Sequence, residues 1–150
     1  LDFGAGSGML TRLLRGEGWQ SESYDSFRDV GIGIEDLGQF DLITAFEVFE
    51  HVPDLKGLMA NLRTALAPEG VILLSTLLSD GHIHRNRRLD WWYAAPRNGH
   101  ISLFSANSLA RFARSGGFQA ASFSPGFHVF FPASPAVWAR PVIRRGALLE

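Results

Sequence analysis

Asp2-Phe3-Gly4-Ala5-Gly6-Ser7-Gly8 carries the densest chemical signal in the chain. Glycines tolerate positive φ and let a ligand approach the backbone closely. A helix starting behind such a loop offers unpaired N–H groups. Gly4, Ala5, Gly6 and Gly8 are therefore candidate cofactor-binding residues. The acid in front of the loop, Asp2, narrows the ligand. A carboxylate there repels a pyrophosphate and suits an ammonium or sulfonium charge. The dinucleotide loop G-x-G-x-x-G would place its third glycine where this chain has Met9. A tight strand-to-helix turn without a ligand is the simpler alternative.

Asp25 is the second candidate. An acid about 20 residues beyond a glycine loop, at the end of the next strand, can accept hydrogen bonds from ribose hydroxyls. The third is Glu47-Val48-Phe49-Glu50-His51-Val52, at the end of an apolar run. Histidine titrates near neutrality and is the usual general base; His51 and His100, the two histidines in segments that resemble a known family, are the candidate catalytic residues. His82 and His84, with Asp80 and Asp90, could in principle ligate a metal. They read better as a polar loop, and no metal site is assigned.

These groups need elements to hold them. Leu1–Phe3 reads as a strand end, and Met9, Leu10, Leu13 and Leu14 recur at helical spacing until Gly16 and Gly18. Ser21–Tyr24 is expected as a second strand. Phe40–Phe46 suits a strand buried on both faces. Leu55, Leu58, Met59, Leu62 and Leu66 mark an amphipathic helix. Pro68-Glu69-Gly70 is expected as a turn and Val71–Leu78 as another buried strand. Ser105 can cap a helix that ends at Gly116-Gly117, and Phe118–Phe123 with Phe127–Phe131 suggests a hairpin. Arg140–Arg145 reads as a mobile tail. Strands alternating with helices argue for an α/β fold. The expectation is a Rossmann-like, mostly parallel sheet with helices on both faces and an antiparallel closing strand pair. Its ligand edge lies at the strand ends.

From Phe40 to Val52 the chain resembles the Rossmann-like (class I) S-adenosylmethionine-dependent methyltransferases, bacterial small-molecule type. Asp2–Gly8 matches that family's first motif, and Phe40–Val52 its fourth-strand motif. Leu66–Leu73 matches the turn into its fifth strand, and Gly99–Ser105 a further segment. The resemblance implies S-adenosylmethionine as cofactor, with Gly4 and Gly6 at its amino-acid part and Asp2 near its ammonium. It places Asp25 on the ribose, Asp36 beside the adenine, and Phe46 and Glu47 at the methionine end. Transfer to a small-molecule or metabolite-linked acceptor is the implied activity. One departure stands out. Positions 26–39 leave only fourteen residues where the family fits a full helix and a third strand. The adenine wall is therefore expected to be reduced. A nicotinamide-dependent oxidoreductase and a non-catalytic, cofactor-binding regulatory module are the alternatives.

The chain has 150 residues, 46% hydrophobic and 19% charged, enough for one domain with a core. Residues 1–150 are read as a single methyltransferase domain. The start of its first strand, and with it an N-terminal part, is expected to lie before Leu1. A net charge of −1 gives no reason to expect nucleic acid or a membrane surface as partner. The absence of cysteine excludes disulfides and thiolate chemistry. A cytoplasmic monomer or homodimer is the default. Trp91, Trp92, Tyr93 and Arg85 follow the last central strand and are the candidate acceptor contacts.

Overall fold

The structure, a computed structural model, describes residues 1–150. Seven strands form one sheet. They are β1 (Asp2–Phe3), β2 (Ser23–Tyr24), β3 (Phe40–Phe46), β4 (Leu66–Ser75), β5 (Gln119–Ser124), β6 (Phe127–Phe131) and β7 (Ala147–Leu148). Their order is β2-β1-β3-β4-β6-β5-β7. The first four run parallel, and β6, β5 and β7 pair antiparallel. The expected hairpin closes the sheet, and β7 adds a strand beyond it.

The helices are α1 (Met9–Gly16), α2 (Leu55–Ala65), α3 (Ala106–Ser115) and the short α4 (Arg140–Ile143). Alternation along the strands divides the core between two faces. Ile43, Ala45, Ile72, Leu74, Ala120 and Phe130 point to one face and pack with Leu58 and Leu62 of α2 and Leu109 and Ala113 of α3. Val71, Ala121, Val129 and Phe131 point to the other, where Ala139 and Ile143 cover them. Leu14 of α1 borders a hollow with Leu42 and Thr44 on this second face. No helix is long and apolar enough to cross a membrane.

Local chemistry sets the helix starts. The Asp54 carboxylate accepts from Gly57 N–H at 2.9 Å and begins α2. Ser105 and Ser108 exchange side-chain-to-backbone hydrogen bonds at the start of α3, and Asp80 accepts from Ala106 N–H at 2.7 Å.

Three expectations need correction. Pro68-Glu69-Gly70 is not a turn between helix and strand. β4 already starts at Leu66 and bulges, so that the step from Leu66 to Val71 faces only Phe40 to Leu42 of β3. A bulge is one of the few places where a strand tolerates proline. β4 also stops at Ser75 rather than Leu78; Leu78 makes a separate bridge to Phe104. Finally, Arg140–Arg145 is no loose tail. Ala139 is buried ahead of it, and β7 after it is zipped onto β5 at Ala121 and Ser122.

Candidate active site

The glycine loop hangs on the end of β2. Gly4 N–H and Ala5 N–H both donate to the Tyr24 carbonyl, at 2.8 and 3.2 Å. Gly4 and Gly6 have φ of 74° and 51°, and Gly8, at 72°, leads into α1. At Gly4 the need for glycine is double. A Cβ there would lie 2.5 Å from a methyl of Val48, which follows β3.

Asp25 completes the loop. One carboxylate oxygen accepts from Gly6 N–H at 2.8 Å and the other from Phe27 N–H at 3.0 Å. Arg28 reaches back across it, donating to the Gly6 carbonyl at 2.7 Å and to Ser23 Oγ at 3.0 Å. The same guanidinium grips Asp29 with two bonds of 2.9 and 2.7 Å, and Asp29 accepts from Asp25 N–H. These bonds hold the Asp29 carboxyl below its ordinary range. Sequence reasoning missed Arg28 and Asp29, because neighbouring residues of opposite charge carry no periodic signal.

Below this loop lies a cavity of about 610 Å³, bordered by Gly4, Tyr24, Asp25, Glu47, His51 and Asn61 among others. That volume lies within the range of small-ligand pockets. S-adenosylmethionine fits what is present. Gly4 lets the backbone come close, Asp25 borders the cavity with a carboxylate for hydroxyls, and Glu47 adds negative charge for a cationic ligand.

The other expected cofactor residues are placed differently. Asp2 is buried rather than on the cavity wall and accepts from Thr44 Oγ at 3.0 Å; burial pushes its carboxyl above the ordinary range, with the Thr44 bond opposing. Asp36 is not brought to the cavity at all. Its carboxylate turns back to Gly33 N–H at 3.2 Å in a short helical turn, Ile34–Leu37, that replaces the family's longer connection. Phe46 packs on Phe127 instead of bordering the cavity.

Glu47 takes a left-handed backbone, φ 53°, rare for a residue with a side chain. Its carboxylate accepts from Ser75 Oγ at 2.7 Å and from the Tyr93 hydroxyl at 3.3 Å. Tyr93 donates more strongly to Glu50, at 2.6 Å, and sits 3.3 Å from Thr76 Oγ. Glu50 is fully buried, and burial pushes its carboxyl upward against the Tyr93 bond. The Tyr93 hydroxyl is pushed up as well, by burial and then by Glu50. Nothing in a sequence marks Glu50 as an interior acid.

Tyr93 and Trp91 are thus buried supports, which corrects their reading as acceptor contacts. Trp91 stacks on His82 at 4.7 Å, and only Trp92, 63% exposed, remains open to an acceptor. Arg85 lies exposed on the loop and does not border this cavity. His51 borders the cavity, and its ring lies 4.8 Å from that of His100.

A methyltransferase-domain family model matches residues 1–122. The chain belongs to this family. S-adenosylmethionine is accordingly the cofactor of the domain. Among curated relatives, the ubiquinone biosynthesis O-methyltransferase of Psychrobacter arcticus is 32% identical over 51% of this chain and 40% of its own length. That of Methylococcus capsulatus is 28% identical over 81% of this chain and 63% of the relative. The chain therefore spans less than two thirds of these relatives. Solved folds agree. The pyocyanin biosynthetic protein PhzM matches with TM-score 0.57 at 15% identity, over 88% of this chain and 49% of that one. DhpI, solved as an SAH complex, matches with TM-score 0.50 at 18% identity, over 86% and 72%.

Proposed function

We propose that this methyltransferase domain moves a methyl group from S-adenosylmethionine to an oxygen of a small organic acceptor. The observation that carries the reading is the single cavity shared by Gly4, Asp25, Glu47 and His51. The O-methyltransferase names of the curated relatives support oxygen as the acceptor atom.

The bound cofactor supplies a methyl group on a positively charged sulfur, and the protein's part is alignment and proton handling. Gly4 shapes the wall for the amino-acid end, Gly6 steadies Asp25 through its N–H, and Asp25 takes the ribose hydroxyls. Glu47, clamped by Ser75, faces the cationic end. Asp2 acts indirectly, by pinning β1 to β3 through Thr44. An acceptor hydroxyl has to lose its proton, and His51, which borders the cavity with His100 beside it, is the group we assign to promoting that loss. Trp92 flanks the acceptor's approach. Residues 1–150 act as one domain, and a cytoplasmic location with a monomer or homodimer completes the proposal.

Calorimetry with S-adenosylhomocysteine and, separately, NADH tests the cofactor. Binding of the first is expected; binding of NADH alone reverses the reading. Transfer of a labelled methyl group to a panel of phenolic and aliphatic hydroxyl acceptors tests the reaction. Cofactor binding without transfer to any acceptor would favour a regulatory module.

A further inference from the structure

We infer that Glu50, His51 and His100 form a binding site for one divalent transition-metal ion beside the methyl-transfer cavity. A carboxylate oxygen of Glu50 and one ring nitrogen from each histidine lie within 4.8 Å of one another. This is a two-histidine, one-carboxylate set that leaves coordination positions open.

Three independent observations point to a cation there. The first is an orphan. Glu50 is fully buried, its Oε1 is satisfied by Tyr93, and its Oε2 has no hydrogen-bond partner. Buried carboxylate oxygens are almost always paired or bound to metal.

The second is the state of the histidines. His51 Nδ1 lies 3.1 Å from the Gly99 carbonyl, and His100 Nδ1 lies 2.6 Å from the Tyr93 carbonyl. A carbonyl only accepts, so each Nδ1 carries the hydrogen and donates it. Each Nε2 is left with a lone pair. Backbone carbonyls orient metal-ligating histidines in this way.

The third is construction. The Glu50 carbonyl accepts from both Ile101 and Ser102 N–H, at 2.8 and 3.0 Å. Those bonds carry the His100 segment to the one after β3, across a sequence gap that no local interaction spans. Tyr93 is shared by the carboxylate and by His100, which its ring meets at 4.0 Å. The other histidine pair does not offer this geometry. His82 is stacked on Trp91, and His84 bonds its own loop at Gly81.

His51 borders the cavity, so the open positions face an acceptor. An acceptor hydroxyl bound there becomes more acidic and loses its proton to solvent. The resulting oxygen anion attacks the methyl carbon, the carbon–sulfur bond breaks, and its electron pair returns to sulfur. The metal keeps its oxidation state. This step rests on the methyl-transfer reading; the binding of the ion does not. Histidine and carboxylate ligands suit zinc, iron(II), cobalt(II) or manganese(II).

The test titrates the chelator-stripped chain with cobalt(II), read by visible absorption and elemental analysis, with zinc(II) as competitor. One equivalent per chain is expected, weakened about tenfold or more in His51→Ala and His100→Ala and unchanged in His84→Ala. Should His100→Ala fail to fold by circular dichroism, His51→Ala decides, since His51 is exposed. No cobalt or zinc binding up to millimolar concentration overturns the site. Binding kept in His51→Ala and lost in His84→Ala overturns it too. S-adenosylhomocysteine calorimetry on the same stripped chain separates the two readings. Cofactor binding with no metal site overturns this inference alone.

Discussion

Glu47 and Ser75 clamp each other across the ends of β3 and β4. The Ser75 hydroxyl donates to the Glu47 carboxylate at 2.7 Å, while Glu47 N–H donates to the same hydroxyl oxygen at 2.9 Å. The pair holds a strained, left-handed residue at the cavity's edge. Ser75→Ala removes both bonds and is expected to weaken S-adenosylhomocysteine binding about tenfold, roughly 1.4 kcal/mol. The chain should still fold, because Glu47 is exposed. Calorimetry beside a thermal melt checks this; an unchanged Kd would show the clamp to be irrelevant to the ligand.

Gly4 tolerates no side chain on two counts, its positive φ and its approach to Val48. Gly4→Ala should cost about 1–3 kcal/mol of stability. That corresponds to a melting point roughly 2–4 °C lower per kcal/mol for a domain near this size. Cofactor affinity should fall with it. The companion variant Gly4→Ala/Val48→Ala relieves the clash but keeps the backbone strain. It should recover part of the stability.

Asp25 holds the loop and, in the proposed function, the ligand as well. Asp25→Ala leaves Gly6 and Phe27 N–H without acceptors and removes the proposed ribose contact. An affinity loss of about a hundredfold is expected, against about tenfold for Asp25→Asn, which keeps one acceptor oxygen. Equal losses in the two variants would show that charge, not acceptor count, governs binding.

His128 sets an acid limit. It is fully buried, with Nε2–H donating to the Thr76 carbonyl at 2.9 Å and Nδ1 accepting from Ser122 Oγ at 2.6 Å. Burial lowers its pKa, the Thr76 carbonyl opposing. The unfolded chain binds the proton near the ordinary 6.5. The folded chain binds it only at lower pH. Stability should therefore decline as pH falls through 6.5, until the native pKa is reached. Asp2 and Glu50, both raised by burial, work in the other direction. The readout is thus the difference between the wild type and His128→Gln in urea denaturation at pH 7.5 and pH 5.5, about one unit to either side of the histidine midpoint. An identical acid response in both proteins would remove His128 as the cause.

Much of the scaffold was legible because its signals are local. Phe40–Phe46 runs apolar because both faces of β3 are covered, and the strand occupies those residues. Ser105 caps α3 with a side-chain oxygen, as expected from its place ahead of the apolar repeat. The bulge of β4 was hidden because Pro68-Glu69-Gly70 has the chemistry of a turn, and only pairing with β3 shows it as strand. The site was half legible. Gly4 and Asp25 follow from the loop and its spacing, Glu47 and His51 from the family resemblance, and all four border one cavity. The burial of Glu50 and Tyr93, and the retreat of Asp36, depend on contacts between distant segments, which no periodicity encodes.

The outermost strand on the cofactor side, β2, consists of two residues and is held by β1 alone. Tyr24 and Asp25, which border the cavity, therefore depend on a very short ladder. Ordering that margin consumes part of the binding free energy, which gives affinity an entropic component. Deuterium uptake at the amides of residues 23–28 should be fast in the free chain and should slow sharply once S-adenosylhomocysteine is bound.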